Sequence, residues 1–204
     1  AIKSLGLDPV VGESNAATTI RLYMLHRLVR DARDEAITAE FARRGAAYLA
    51  GDLDLHASLI STALLATAIN GDLDTYATFK SRFENSTEPN ARGRFLAALT
   101  YFDLPEVLVD LQAYSISDAV RPSEMLSVRR LLLSQPENRD PVLDYALANY
   151  ETFKTRLPGN GLARLPAIAT SCSLQNIERA KEFFSNPDHQ VSGTLRVLDK
   201  VTAS

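Results

Sequence analysis

An all-α fold is predicted, and three observations carry it. Apolar residues return every third or fourth position along nearly the whole chain, the mark of amphipathic helices. No sustained two-residue alternation of Val, Ile, Thr and aromatics occurs, and no Asn-Gly or Asp-Gly turn joins such runs. Glycine, proline, serine and aspartate interrupt the periodic stretches often enough to cut them into about ten or eleven helices of roughly 10 to 18 residues. Helices this short and numerous favour stacked antiparallel pairs, a HEAT- or armadillo-like α-solenoid, over one four-helix bundle.

Each element has its own signals. From Ser14 onward Ile20, Met24 and Leu28 recur with Leu25, Val29 and Ala32 beside them, and Ile37, Phe41 and Tyr48 continue the stripe until Gly51. Leu59, Ala63 and Ala66, with Ile60, Leu64 and Ala68, form the next, which Gly71 stops. Asp72 opens another through Leu73, Tyr76, Phe79 and Phe83. Thr87 is the expected cap of a helix with Glu88 and Pro89 in its first turn, carrying Phe95, Leu96, Leu99 and Phe102. Asp103 and Pro105 start a short helix through Leu108 and Leu111. After a break over residues 115–122, Met125, Leu126, Arg129, Leu132 and Leu133 mark a helix that ends before Pro136. Asp140-Pro141 reads as a cap and first helical residue, with Val142, Tyr145, Ala146, Asn149 and Phe153 on one side of a long helix over 142–156. Residues 157–161, LPGNG, read as a loop, and three helices follow around 165–172, 177–184 and 191–201.

The chain has 204 residues, 46% of them apolar, enough to bury a core. Its 22 Lys and Arg against 25 Asp and Glu give a net charge of -3 without any basic run, so nucleic acid is not an expected partner. Unbroken apolar runs, 63–66 and 131–133 among them, all fall far short of the roughly 20 residues that span a bilayer, so a soluble chain is expected. Whether it is cytoplasmic or periplasmic stays open. The single cysteine, Cys172, has no partner for an internal disulfide and reads as a buried thiol. The first residue is Ala and no leader precedes the first turn, so a segment of a longer protein is expected.

Site chemistry is sparse. Gly-Asp-Leu-Asp occurs at 51–54 and again at 71–74, and aspartates two apart suggest a calcium loop. The sixth position, which an EF-hand fills with glycine, is Ala57 in one case and Ala77 in the other. Both therefore read as helix punctuation, a left-handed glycine ending one helix and an aspartate capping the next. Their 20-residue offset is one helix plus a turn, so two make a unit of about 40 residues, near the HEAT range. His26, His56 and His189 lie far apart without ligand spacing, and no metal site is expected. Neither a nucleophile motif nor a phosphate-binding glycine loop is present, so no catalytic residue is assigned.

Whole phrases are informative where single residues are not. LGLDPVVGES (5–14), RRGAAYLAGD (43–52), NGDLDTYATFKSRFENSTEPNARGRFLAALTYFDLPEVL (70–108), YALANYETFKTRL (145–157) and IERAKEFF (177–184) resemble, in order and spacing, the C-terminal helical domain of gluzincin zinc aminopeptidases. The resemblance implies one helical domain over 1–204 that caps a thermolysin-like catalytic domain of the same polypeptide. It also implies that the cap controls peptide access and holds the far end of the peptide. Zinc, held by H-E-x-x-H and a downstream glutamate, and the G-x-M-E-N segment that holds the substrate amine would belong to that other domain, since this sequence contains neither motif. No cofactor and no peptidase activity are expected of this chain alone. Tyr145 and Tyr150 stand where the family usually has tryptophans. At the family's Ile-Arg-x-Gln-Asp turn this sequence has Val120-Arg121-Pro122-Ser123-Glu124, which makes Arg121 and Glu124 the candidates for lining the cavity or pairing with the catalytic domain. The plainer reading of the same residues is a helix capped by Ser123 behind a surface arginine. A rival reading of the whole is a freestanding HEAT-like scaffold for a protein partner.

Overall fold

The computed structural model describes residues 5–169 and 173–202, so Cys172 lies outside the described residues. Among them are twelve α-helices, four short 3-10 turns and no strand, an all-α, solenoid-like succession. The chain falls into two compact units, Ala1–Val107 and Leu108–Ser204.

In the first unit the helices are α1 (Asn15–Arg30), α2 (Glu35–Ala50), α3 (Ile60–Ile69), α4 (Leu73–Asn85) and α5 (Pro89–Ala98), the last running into a 3-10 turn at Leu99–Tyr101. Ser14, Asp34 and Asp72 cap α1, α2 and α4, each side-chain oxygen accepting from an amide three residues on, at 2.9 to 3.2 Å. These contacts satisfy donors that the first helical turn cannot. The stripe expected to run on from 14 to 48 is broken instead, because Arg33 takes a left-handed φ of 49° and turns the chain before Asp34 restarts it. The cap of α5 is Glu88, not Thr87: its carboxylate accepts from Asn90 N and Ala91 N at 3.0 and 2.6 Å, beyond the amide-less Pro89.

The two Gly-Asp-Leu-Asp stretches divide the expected roles between them. Gly51 ends α2 in the left-handed conformation, φ 84°, but Asp52 caps nothing, since α3 starts only at Ile60. Gly71 is not left-handed, while Asp72 does cap. Each stretch supplies one half of the punctuation.

Helix α3 is apolar almost all round and buried, and α1, α2 and α5 pack against it. The approach of α2 is very close: a Cβ on Gly45 would lie 2.1 Å from Thr67 Oγ1 and 2.7 Å from the Ala63 carbonyl oxygen. Phe79 of α4 meets Phe95 and Phe102 edge to face at 5.7 and 5.5 Å. Residues before α1 are tied down by charge. Buried Arg21 binds the Leu5 carbonyl and the Glu13 carboxylate, and Arg44 holds Asp8 at 2.6 Å and Glu40 at 2.7 Å.

The division between the units falls inside α6 (Pro105–Tyr114). The second unit continues with α7 (Pro122–Leu133), α8 (Arg139–Ala148), α9 (Tyr150–Arg156), α10 (Gly159–Leu162), a 3-10 segment Leu165–Ala169, α11 (Leu174–Ser185) and α12 (Thr194–Thr202). The long helix expected over 142–156 is two helices, broken where Asn149 leaves helical geometry (φ -109°, ψ 23°). Asp140 is not a cap. It sits in the first turn of α8, where its carboxylate accepts from Asn176 Nδ2 at 2.5 Å. Residues 157–161 are not all loop, since Pro158 launches the single turn α10. The 3-10 segment packs against α7, α8, α11 and α12, so the centre of this unit is a short irregular piece rather than a long helix.

Two outcomes follow. Gly45→Ala must push α2 and α3 apart, so its thermal midpoint should fall by an amount matching about 1–3 kcal/mol; an unchanged midpoint would mean the helices are not so close. Hydrogen bonds from arginines hold the Glu13 and Glu40 carboxyls at about 2, against an ordinary 4.5. Because the folded values are depressed, the stability they contribute is complete above pH 4.5 and lost as pH falls toward 2. The double variant Glu13→Gln with Glu40→Gln should flatten the melting midpoint across that window.

Candidate functional site

The turn that carries Arg121 and Glu124 is built by a one-sided cap, in which only the Glu124 side chain reaches back to the backbone. Val120 is buried and anchors the approach, Pro122 presets the first helical φ, and Glu124 Oε2 accepts from the Arg121 amide at 2.8 Å. The cap position is Arg121, so Ser123 is not the capping residue. The Arg121 side chain is exposed and Glu124 is half-buried. The structure brings the two together through the backbone at one end of α7.

Alongside α7 lies a cleft of about 660 Å³ whose walls are Leu126, Leu133, Leu165 and Ile168. Ser123 and Ser127 add hydroxyls, and Arg129, Arg130 and Arg164 add charge. A smaller hollow of about 440 Å³ shares Ser123, Leu126 and Arg164 and extends to Pro158 and Asn160. Arg121 and Glu124 are absent from both linings.

Arg129 is the residue that sequence reasoning placed without giving it a role. It occupies the apolar stripe of α7 with Met125, Val128 and Leu132, and it is 2% exposed. Its Nη2 donates to Ser115 Oγ at 3.3 Å, and the guanidinium lies 3.9 Å from the Phe153 ring centre. Nε and Nη1 have no hydrogen-bond partner. Burial, with no carboxylate to oppose it, lowers its pKa to about 9, so it stays cationic at neutral pH. A charged residue at a core position of a helical stripe was the signal, visible in the sequence as Arg129 four residues after Met125.

Phe183, Phe184 and His189 gather around Tyr150. Its ring meets Phe183 and Phe184 edge to face at 5.4 and 6.0 Å, and its hydroxyl donates to the His189 carbonyl at 2.8 Å. His189 stacks on Phe183, with 3.9 Å between ring centres. Tyr145 stands 5.9 Å from the Arg129 guanidinium. His26 is half-buried on α1, and His56 contacts Ser58 Oγ at 2.7 Å. Among the described residues no three His, Cys, Asp or Glu converge in a way that could hold a metal ion.

The described residues form an all-α, solenoid-like succession of helices, with a cationic cleft beside α7. The chain belongs to the ERAP1-like C-terminal domain family, whose model matches residues 1–204. That family is the non-catalytic C-terminal domain of ERAP1-like aminopeptidases. No curated protein matches the sequence. No described helix is long and apolar enough to cross a membrane.

If Glu124 acts as the cap of α7, Glu124→Ala should lower stability by about 1 kcal/mol while Arg121→Ala leaves it unchanged. Equal loss in both variants, read by chemical denaturation, would contradict that division.

Proposed function

We propose that this chain is the non-catalytic C-terminal domain of a zinc-dependent aminopeptidase, closing over the catalytic domain of the same polypeptide and controlling which peptides reach it. The observation that carries the reading is the family match along the entire chain. On this reading zinc sits in the catalytic domain, where it polarises the scissile carbonyl and activates water. The work of this chain is then exclusion and holding. Short packed helices form a stiff wall, and a wall around a reaction chamber selects by size because a peptide that cannot be enclosed cannot reach the site. Arg121 and Glu124, at the start of α7, are the candidates for facing the chamber or the catalytic domain.

A freestanding scaffold is the second reading. Val10, Val11, Ile20 and Tyr23 of the first unit are each at least half exposed, which suits a surface for another protein.

Deleting residues 1–204 from the whole polypeptide separates the two. A cap predicts that hydrolysis of a single-residue amide substrate persists, that zinc stays bound, and that discrimination among peptides of increasing length is lost. An unchanged length profile would overturn the cap.

A further inference from the structure

We infer that the cleft beside α7 is a binding site for a small organic anion, a molecule with an apolar body and a carboxylate or phosphate head. The inference goes beyond the cap reading and stands or falls independently of it.

Charge is the first argument. A buried guanidinium is normally compensated by a carboxylate, because desolvating a cation is costly. Arg129 has instead one hydroxyl and one aromatic face, and two of its nitrogens have no partner. On the same cleft Arg130 and Arg164 are exposed, and neither has an acidic partner among the described residues. Among the described residues no Asp or Glu lines the cleft. Three cations against low-dielectric walls focus a positive field into it, and the described residues of the cleft hold no anion to balance them.

Shape is the second argument. A bare inorganic ion would leave Leu126, Leu133, Leu165 and Ile168 facing water. The volume, about 660 Å³, lies within the ordinary range of small-molecule sites, which pair apolar walls with a few convergent polar groups. A ligand's body would cover the leucines and Ile168. Its head would take direct hydrogen bonds from the exposed Arg130 and Arg164, with Ser123 and Ser127 in support. Arg129, fixed by Ser115 and Phe153, would act mainly through its field.

The test titrates the 204-residue chain, by calorimetry and by amide NMR shifts, with phenyl phosphate, benzoate, inorganic phosphate and neutral benzyl alcohol. Saturable one-to-one binding of phenyl phosphate or benzoate is expected, weakening with salt. Benzyl alcohol should not bind, and inorganic phosphate should bind more weakly than phenyl phosphate. Whichever aromatic anion binds tighter identifies the head. Arg130→Ala and Arg164→Ala should each weaken binding about tenfold. Arg129→Met should weaken it too, without a lower melting midpoint, because it removes a buried charge that no carboxylate opposes. If that variant fails to fold, the two exposed arginines decide. Absence of saturation at millimolar anion, equal binding of benzyl alcohol, or affinities indifferent to Arg130 and Arg164 would each overturn the proposal.

Discussion

Among the described residues no helix exceeds 16 residues, and helices of that length are marginal in water by themselves. Each must therefore bury its apolar stripe on a neighbour, and the rest of the structure follows from that requirement. In the first unit α3 meets the need for three helices at once, which is why it is apolar on nearly every side and why α2 brings Gly45 against it. In the second unit the same role falls to Leu165–Ala169, too short to be a helix of that kind but touched by four helices.

Three arginines are buried among the described residues, and their surroundings differ in a way that matters. Arg21 has a carboxylate and a carbonyl, and in return it fixes the residues before α1. Arg92 lies 3.7 Å over Phe83 and donates to the Phe83 carbonyl at 3.0 Å, which ties α5 to α4. Arg129 has the aromatic face but only a long bond to Ser115. Two of these charges are explained by what they hold. The third borders a cleft, and its explanation lies outside the chain.

The fold class was legible because periodicity survives in sequence without any knowledge of neighbours. Caps were legible where a short oxygen-bearing side chain precedes a stripe, as at Asp72. They were misread at Thr87 and Asp140, where proline removes an amide and lets a different residue do the capping, or none. The break at Asn149 left no trace in the apolar pattern, since Val142, Ala146 and Phe153 keep their burial across it. The cleft was the least legible part: its walls come from residues 123–134 and 164–168, which only tertiary packing brings together. Arg129 was visible as a charge in a stripe, but its lack of a partner is a property of three dimensions.

On the proposed reading this domain gives the polypeptide a helical wall, and the chemistry of peptide hydrolysis belongs to another domain. The claim rests on that domain's existence, so the most direct measurement is the nucleotide sequence upstream of the codon for Ala1. The account predicts a continuous open frame that encodes G-x-M-E-N and then H-E-x-x-H within the preceding several hundred codons. An initiation codon directly before Ala1, with no such frame behind it, would contradict the cap and leave the scaffold.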